Sequence, residues 1–227
     1  MISVGLDPSL RSFGWAAYDG NSKVPQLKLL DSGTINTNVK MVPVMRFIII
    51  RNAIDEILKR IKPDVVGIES PAYGGGNYSE NHFALMIYSM ESVFNNRIDC
   101  VLFDPTTVKY LAGNAKADKK YMQNYVKEDT SMLEIIGNDE ADAYCIAKFA
   151  SQFYLFANES ISVDELTKQQ KHVFLERKRT RKTLIGKKTI RTAHLFKENK
   201  RYYRFSKVDK DEIMLPKATD VSKFLEI

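Results

Sequence analysis

Cysteine and histidine are scarce in this chain of 227 residues, and their scarcity excludes several kinds of site. The two cysteines, Cys100 and Cys145, lie in separate apolar stretches, with no Cys or His at metal-ligand spacing nearby. Neither a disulfide framework nor a zinc site is therefore indicated, and we expect both cysteines to be small buried hydrophobic residues. The three histidines are scattered along the sequence, so a catalytic triad built on His is not indicated either.

Long hydrophobic runs are also missing. The run at 47–50, like every other apolar run in the sequence, is far shorter than the roughly 20 residues that a membrane helix requires. The first residues contain no basic segment followed by an apolar one, as a signal peptide does. We therefore expect an intracellular protein with no membrane partner.

A phosphate-binding P-loop is absent as well. Three consecutive glycines at 74–76 predict a loop, since glycine loses much conformational entropy when it is fixed in a helix or strand. No Gly-Lys-Ser or Gly-Lys-Thr sequence closes this loop, which a P-loop requires. The sequence thus offers no nucleotide-binding signature at this position.

Charge is unevenly distributed along the chain. Residues 1–158 hold 16 Lys and Arg against 18 Asp and Glu, a net charge of −2, whereas residues 159–227 hold 18 against 10, a net charge of +8. The basic character of the whole chain, +6, therefore comes from its last third. Such a segment is typical of a polyanion-binding extension, although a solvated basic surface without a ligand is the other interpretation.

The order of the predicted elements indicates an α/β fold. Residues 1–18 have the pattern of two strands joined by a turn, and residues 26–35 alternate apolar and polar side chains as a third antiparallel strand does. Apolar residues then recur at helical spacing over 42–59, and the β-branched run at 64–69 predicts a buried parallel strand. We therefore predict a mixed sheet, three antiparallel strands and then parallel strands, flanked by helices.

Four carboxylates stand where strand and helix ends can bring them together. Asp7 ends the first predicted strand, Glu69 ends the fourth, and Asp139 and Asp142 begin the last large helix of this part of the chain. Residues three apart share a helix face, so Asp139 and Asp142 can point together while Glu140 is turned away. Each acid alone also has an ordinary explanation, as a turn former or as a residue favoured in the first turn of a helix.

Together, the four acids indicate a metal site. Oxygen donors without His or Cys are the ligand set of hard divalent cations, and carboxylates that meet repel each other unless a cation is present. Two ions roughly 3.5–4 Å apart can activate water on one side of a phosphodiester and stabilise the leaving 3′ oxygen on the other. We predict two Mg²⁺ ions per site, with Mn²⁺ also supporting activity, held by Asp7, Glu69, Asp139 and Asp142.

Five stretches that span most of residues 1–155 carry a family resemblance. They are Gly5-Leu-Asp7-Pro-Ser-Leu-Arg11, Val66-Gly-Ile-Glu69, Asp104-Pro-Thr-Thr-Val-Lys109, Ala117-Asp-Lys119 and Asp139-Glu-Ala-Asp142-Ala. The four acids in this order, ending in an Asp-x-x-Asp-Ala helix, form a fairly specific pattern. On these residues the chain resembles the RuvC-type Holliday junction resolvases of the RNase H-like superfamily.

The resemblance implies an RNase H-like fold and a metal-dependent endodeoxyribonuclease that cuts branched DNA, Holliday junctions foremost. It implies that the four acids are the metal ligands and that Lys119 neutralises charge developing on the phosphate. Lys109 and Lys119 match basic positions that approach the DNA backbone in the family. Both can also be ordinary surface lysines.

Further DNA contacts are expected close to the predicted site. Arg11, in the turn after Asp7, and Lys116, in a basic loop, are candidates for phosphate contacts. In the family an aromatic residue after the strand-four acid wedges between bases at the branch point. Tyr73 is the nearest candidate and Tyr78 the next, and the long glycine loop between them leaves open that both are plain loop residues.

Symmetric cleavage of two strands requires two sites. We therefore expect a homodimer with two-fold symmetry, formed through the predicted helix that carries Phe83, Met86 and Met90. We expect the DNA partner to be a four-way junction, and forks and flaps are the further candidate substrates. We expect the protein in the cytoplasm of a bacterium or of a phage-infected host cell.

The composition changes near residue 158, where the resemblance ends. We predict a nuclease domain over 1–158 and a small basic α+β extension over 159–227 that binds DNA, as is typical of the phage or mobile-element branch. A capping box at Ser162 predicts a helix to about Lys178, followed by strands over 190–196 and 201–205. The candidate DNA-binding residues of the extension are Arg177, Arg179, Arg181, Lys182, Lys187 and Lys188.

Other functions remain open from the sequence. A broader nuclease for forks and flaps shares the same chemistry, and a nuclease for RNA–DNA hybrids shares the acids but is less favoured by the two matched lysines. A non-catalytic junction-binding protein should lack one of the acids, and none is missing. An actin-like or sugar-kinase ATP-binding domain needs a Gly- and Thr-rich phosphate turn where this chain has Pro8-Ser-Leu-Arg11.

Overall fold

In a computed structural model, the chain forms a mixed sheet with helices on both faces. The structure describes residues 1–71, 80–132, 136–176, 178–183, 186–197 and 202–204, and for 178–183, 186–191 and 202–204 it describes the backbone. This architecture is the α/β class predicted from the sequence. No helix in the described ranges is long and apolar enough to cross a membrane.

The elements follow the predicted order through most of the chain. The strands are β1 (Ile2–Asp7), β2 (Ser12–Asp19), β3 (Leu29–Asn36), β4 (Val65–Glu69), β5 (Asp99–Phe103), β6 (Lys178–Thr183), β7 (Gly186–Arg191), β8 (Ala193–Lys197) and β9 (Tyr202–Arg204). The α-helices are α1 (Pro43–Ile61), α2 (Glu80–Asn95), α3 (Pro105–Leu111), α4 (Lys119–Thr130), α5 (Asn138–Ala157) and α6 (Lys168–Lys171). Short 3₁₀ turns occupy Pro25–Leu27 and Val163–Glu165, and a π-helical turn occupies His172–Glu176.

The main sheet has the strand order β3-β2-β1-β4-β5-β8-β9. The first three strands form an antiparallel meander, whereas β4 and β5 run parallel to β1. Leu6 of β1 lies opposite Ile68 of β4, so the next residue of each strand is an acid, Asp7 or Glu69. The carboxyl ends of β1, β4 and β5 therefore share one edge of the sheet, which we call the carboxyl edge.

Alternating side chains divide the core into two layers. On one face, Val4 and Leu6 of β1 pack with Ile50 and Ile54 of α1. On the other face, buried residues of β4 and β5 pack against α5, whose buried residues include Phe149. The period of two along each strand separates the two sets, because successive side chains point to opposite faces.

Helix α5 packs so closely on the sheet that its backbone nearly touches the backbone of β1 and β4. A Cβ atom added to Gly5 would lie 1.9 Å from the carbonyl oxygen of Ala143, and one added to Gly67 would lie 2.7 Å from the Cβ of Ala150. Real Cβ atoms do not approach other atoms this closely, so only glycine fits at these two strand positions. Glycine in the strands and alanine in the helix thus fix the height of α5 above β1 and β4.

The region after residue 158 departs from the prediction. The continuous helix expected from Ser162 to Lys178 is wrong, because Leu166 and Thr167 are extended and separate a 3₁₀ turn from α6. Thr167 begins a second capping box with Gln170, and Leu166 is buried in the core. A cap interrupts a helix because its own backbone is extended.

Two of the C-terminal strands extend the main sheet. Strand β8 pairs antiparallel with β5, and β9 pairs with β8. They correspond to the predicted strands 190–196 and 201–205, except that the first is interrupted at Thr192 and residues 190 and 191 belong to β7. Leu195 and Phe196 of β8 are buried in the two core layers. The hairpin of β6 and β7 was not predicted, since its sequence has no apolar alternation. The division of the chain at residue 158 stays a prediction.

Candidate active site

The two strand-ending acids lie side by side at the carboxyl edge. Burial, and then the negative charges of Asp142 and Asp139, raise the pKa of Asp7 to about 7, against the lowering effect of Lys119 and Lys109. Burial and the charges of Asp7 and Asp142 raise the pKa of Glu69 well above its usual range. Carboxylates influence each other in this way only when they are close and poorly solvated.

The other two predicted acids come from the first turns of α5. Burial raises the pKa of Asp142, while Lys109 and Lys119 act to lower it. Asp139 lies three residues earlier on the same helix face, and its charge acts on both Asp7 and Asp142. The structure therefore brings all four predicted acids to the carboxyl edge.

Glu140 is turned away from this group, as predicted. It accepts a hydrogen bond from the Ser32 hydroxyl on β3, with 3.0 Å between the Ser32 Oγ and Glu140 Oε2 atoms. Because it lies on the same helix turn as Asp139, the helical rotation of about 100° per residue separates the two side chains. Glu140 thus provides a carboxylate of the same helix outside the site.

Two small residues of β2 hold the start of α5 in place. The Ser12 hydroxyl donates a hydrogen bond to Asp139, with 2.7 Å between Oγ and Oδ2. A Cβ atom added to Gly14 would lie 2.3 Å from the carbonyl oxygen of Asp139. Since Gly14 pairs with Asp7 across the β1–β2 ladder, this close approach places Asp139 beside Asp7. Sequence reasoning missed both residues.

A fifth acid, Asp104, lies close to Glu69 and is hydrogen-bonded to its neighbour Ser70. It is 2% exposed, and its Oδ1 atom accepts a hydrogen bond from the hydroxyl of Ser70 at 3.1 Å. Asp104 is the N-cap residue of α3, but its side chain makes no capping hydrogen bond there. Its charge contributes to raising the pKa of Glu69. The signal that could have found it is the one shared by Asp7 and Glu69, an acid at the end of an apolar strand.

The predicted basic residues divide into two groups. Lys119, the first residue of α4, lies with its Nζ atom 3.6 Å from Oδ1 of Asp139, and Lys109 of α3 acts on Asp7, Glu69 and Asp142 through its charge. Arg11 and Lys116 are exposed in turns, and in the described part of the chain neither forms an ion pair with the four acids.

The remaining predicted DNA contacts cannot be placed as side chains. Tyr73, Tyr78 and Arg177 lie outside the described residues. For the other five predicted DNA contacts of the extension, the structure describes the backbone. They are Arg179, Arg181 and Lys182 of β6 and Lys187 and Lys188 of β7.

The donor set fits a hard divalent cation. It consists of carboxylate oxygens at a buried edge, where the ionised forms are unfavourable without a positive charge. No three acid, His or Cys side chains among the described residues are gathered closely enough to coordinate one ion as they stand. Their charges interact, but the oxygens do not converge on one point. Asp139 is instead in contact with Ser12 and Lys119.

Comparison with known proteins identifies the family. The model of the family described as "Crossover junction endodeoxyribonuclease RuvC" matches residues 3–149. The chain belongs to the RuvC family. The RuvC protein of Rickettsia conorii is 32% identical over 150 residues, which cover 65% of this chain and 94% of that protein. The RuvC protein of Orientia tsutsugamushi strain Ikeda is 30% identical over 154 residues, 66% of this chain and 95% of that protein.

Solved structures support the same fold. The Thermus thermophilus RuvC structure matches with a TM-score of 0.59 at 21% identity and covers 69% of this chain and 96% of that one. The structure of the same protein in complex with a Holliday junction substrate matches with a TM-score of 0.58 at 19% identity, covering 69% and 96%. The RNase H-like fold predicted from the sequence is thereby confirmed.

The RuvC match also marks what is particular to this chain. The enzyme class predicted from the sequence, a crossover junction endodeoxyribonuclease, is that of the family. The match ends at residue 149, so strands β6 to β9 lie beyond it. The relatives named here are bacterial proteins, and the phage or mobile-element branch stays a prediction.

Proposed function

We propose that this RuvC family member is a metal-dependent endonuclease that resolves Holliday junctions by hydrolysing phosphodiester bonds. The observation that supports it most is the meeting of four acids at the carboxyl edge, where Asp7, Glu69, Asp139 and Asp142 interact through their charges. A non-catalytic junction-binding protein has no need to hold buried carboxylates together against their repulsion. We propose that the protein acts in the cytoplasm, because its DNA substrate is found there.

In this proposal, Asp7, Glu69, Asp139 and Asp142 would hold two Mg²⁺ ions, and Mn²⁺ would also support activity. When bound, such ions activate water and stabilise the leaving 3′ oxygen of the cut strand. Asp7 comes off the central strand between β2 and β4, so it lies between Asp139 and Glu69. From this position Asp7 would hold the ions together with the acids on either side of it.

The lysines complete the site by neutralising phosphate charge. Lys119 is 65% exposed although its ammonium group pairs with Asp139, so it can turn from that carboxylate to a DNA phosphate. Lys109 supplies a second positive charge near Asp7 and Glu69. Positive groups aimed at the reacting phosphate stabilise the charge that develops on it. Arg11 and Lys116, exposed further out, contact phosphates of the same DNA, and Tyr73 or Tyr78 wedges into the branch point.

The dimer proposed for symmetric cutting uses an apolar surface formed by α1 and α2. We call it the α1–α2 patch, and its exposed members are Val44, Met45, Ile48, Ile49, Phe83, Ile87 and Tyr88. Phe47 stacks on Tyr88 across the two helices, with 5.6 Å between ring centroids. Met86, expected at this interface, is instead buried in the core at 6% exposure. Contiguous exposed apolar surface of this kind marks an interaction site.

A substrate panel tests the proposed function. The full chain is incubated in Mg²⁺ with a fixed four-way junction, a replication fork, a flap and a linear duplex of matched sequence. We expect paired, symmetric cuts in the four-way junction and no cutting of the duplex. Equal cutting of fork and flap would support the broader branched-DNA nuclease. Binding of the junction without cutting in either Mg²⁺ or Mn²⁺ would contradict the proposal.

A further inference from the structure

The β6–β7 hairpin is attached to the main sheet at the carboxyl edge. Strand β8 is antiparallel to β5, and its first residue, Ala193, lies opposite Phe103, the last residue of β5. One residue, Thr192, joins β7 to β8. The end of the hairpin is therefore fixed at the edge of the sheet where Asp7 and Glu69 lie.

A short chain of hydrogen bonds ties this attachment to the site. The backbone N–H of Asp104 donates to the carbonyl oxygen of Thr192 at 3.0 Å, and the hydroxyl of Ser70, the neighbour of Glu69, donates to Asp104. Thr192, Asp104 and Ser70 are 3%, 2% and 6% exposed, so this contact is part of the core. The attachment point of the hairpin is thus fixed relative to Glu69.

The sequence of the hairpin is basic on both faces. Of the twelve residues in β6 and β7, seven are Lys or Arg and none is acidic. Residues opposite each other in an antiparallel pair share a face, and the register pairs Lys178 with Arg191, Arg181 with Lys188, and Lys182 with Lys187. Like charges directly opposite one another destabilise a two-stranded sheet. The hairpin therefore lacks an apolar face that would pack on a core. A bound polyanion would offset the repulsion between its positive charges.

We propose that the β6–β7 hairpin is a binding site for a double-stranded arm of the DNA substrate, next to the phosphate that is cut. This inference rests on the proposed function, and it adds the place where the extension meets the DNA. A two-stranded ribbon fits the major groove, which is about 12 Å wide. Six residues in each strand give it a length of about 20 Å. Lys and Arg on both faces make contacts with phosphates that do not depend on sequence.

Cleavage of DNA from a reagent tethered to the hairpin tests this placement. Both native cysteines are buried, so a single introduced thiol can be labelled selectively. Lys187→Cys in the full chain is coupled to an iron chelate that generates hydroxyl radicals, and the protein is bound to a fixed four-way junction without added Mg²⁺ or Mn²⁺. We expect radical cuts confined to one arm for each bound protomer, starting within one helical turn of the position that Mg²⁺-dependent cleavage marks.

The matched control carries Lys59→Cys in the last turn of α1, at the opposite edge of the sheet. It should give no localised cuts. Cuts from Lys187→Cys that are absent, or no more localised than those of the control, would overturn the inference. If that variant does not fold, Lys182→Cys on the facing strand takes its place in the same experiment.

Salt dependence provides a second, independent readout. Neutralising Arg179, Arg181 and Lys188 to Gln should lower the slope of log affinity against log salt by roughly 2–3, since each phosphate contact contributes about 0.9. The same change at Lys23, Lys59 and Lys127, exposed residues away from the carboxyl edge, should leave the slope unchanged. Equal slopes for both triple variants and the unmodified chain would contradict the inference, and would favour an acidic protein as the partner of the hairpin. Because binding is measured without metal, these outcomes do not depend on whether the protein cuts DNA.

Discussion

Asp7 and Glu69 could be identified from the sequence because each ends a short apolar run, and the parallel register then places them side by side. The residues that hold the site together could not be found in this way. The role of Ser12 depends on the distance between β2 and α5, which no local pattern encodes. Asp104 takes the N-cap position before Pro105, and only the structure shows that its side chain bonds to Ser70 and not to the helix.

The raised pKa of Asp7 predicts a specific pH dependence of stability. Its carboxyl group loses its proton near pH 3.8 in the unfolded chain but near pH 7 in the metal-free folded protein. Between these values the folded state binds more protons than the unfolded state, so the free energy of unfolding falls as pH rises. Asp7→Asn removes this loss. We expect it to stabilise the metal-free protein by roughly 2–4 kcal/mol above pH 7 and to have little effect near pH 3.8.

Urea unfolding in the presence of a chelator, across this pH range, measures the effect. Glu140→Gln serves as the control, because Glu140 lies outside the acid group. The difference in the free energy of unfolding between Asp7→Asn and the unmodified protein should grow as pH rises. A difference that does not change with pH would show that the ionisation of buried Asp7 is not its cause.

At the scale of elements, periodicity predicted the strands and helices that pack on the core. Helix α1 was recognisable because Ile50, Ile54, Ile57 and Leu58 recur on one face, and all four are buried. The β6–β7 hairpin was missed because a strand without a buried face has no alternation to detect. The helix after Ser162 was predicted too long because the second capping box, at Thr167, was not recognised.

The close packing of α5 against β2 predicts the effect of a substitution at Gly14. A methyl group there would meet the backbone of Asp139 at 2.3 Å, so Gly14→Ala must push the start of α5 away from β2. Overpacking of this kind costs about 1–3 kcal/mol. Displacing Asp139 should also reduce metal-dependent cleavage by about 100-fold, the effect of a misplacement of about 1 Å.

Thermal unfolding and cleavage rates of Gly14→Ala are compared with those of Gly137→Ala. An added Cβ at Gly137 meets Glu140 Oε1 at 3.4 Å, an ordinary contact, so this control should keep its cleavage rate. Because Gly137 is the N-cap of α5, where Gly is preferred to Ala, the control should lose about 0.5–1 kcal/mol of stability. Full cleavage activity in Gly14→Ala would mean that the close approach of α5 does not position the acids.

At the scale of the whole molecule, the α1–α2 patch predicts the oligomeric state. We expect a two-fold dimer in which the four acids of each protomer act on one of two DNA strands. Ile48 and Ile87 are each 46% exposed, and charges there would have to be buried without partners. The double variant Ile48→Glu/Ile87→Glu should therefore be monomeric by light scattering and should nick junctions without coordinating the two cuts.

The control for this experiment is Val163→Glu, which changes an exposed apolar residue outside the patch and should stay dimeric. An unmodified chain that is monomeric both free and on DNA would contradict the dimer.

The most direct test of the central claim is cleavage of a fixed four-way junction in Mg²⁺ by variants of the acid group. Asp7→Asn and Glu69→Gln should bind the junction as the unmodified chain does but cut it at least about 1,000-fold more slowly, a loss of about 4 kcal/mol in transition-state stabilisation. Glu140→Gln, which alters a carboxylate on the same helix as Asp139 but outside the group, should cut at the normal rate. Cutting by Asp7→Asn or Glu69→Gln at the normal rate would contradict the assignment of the four acids as the metal-dependent active site.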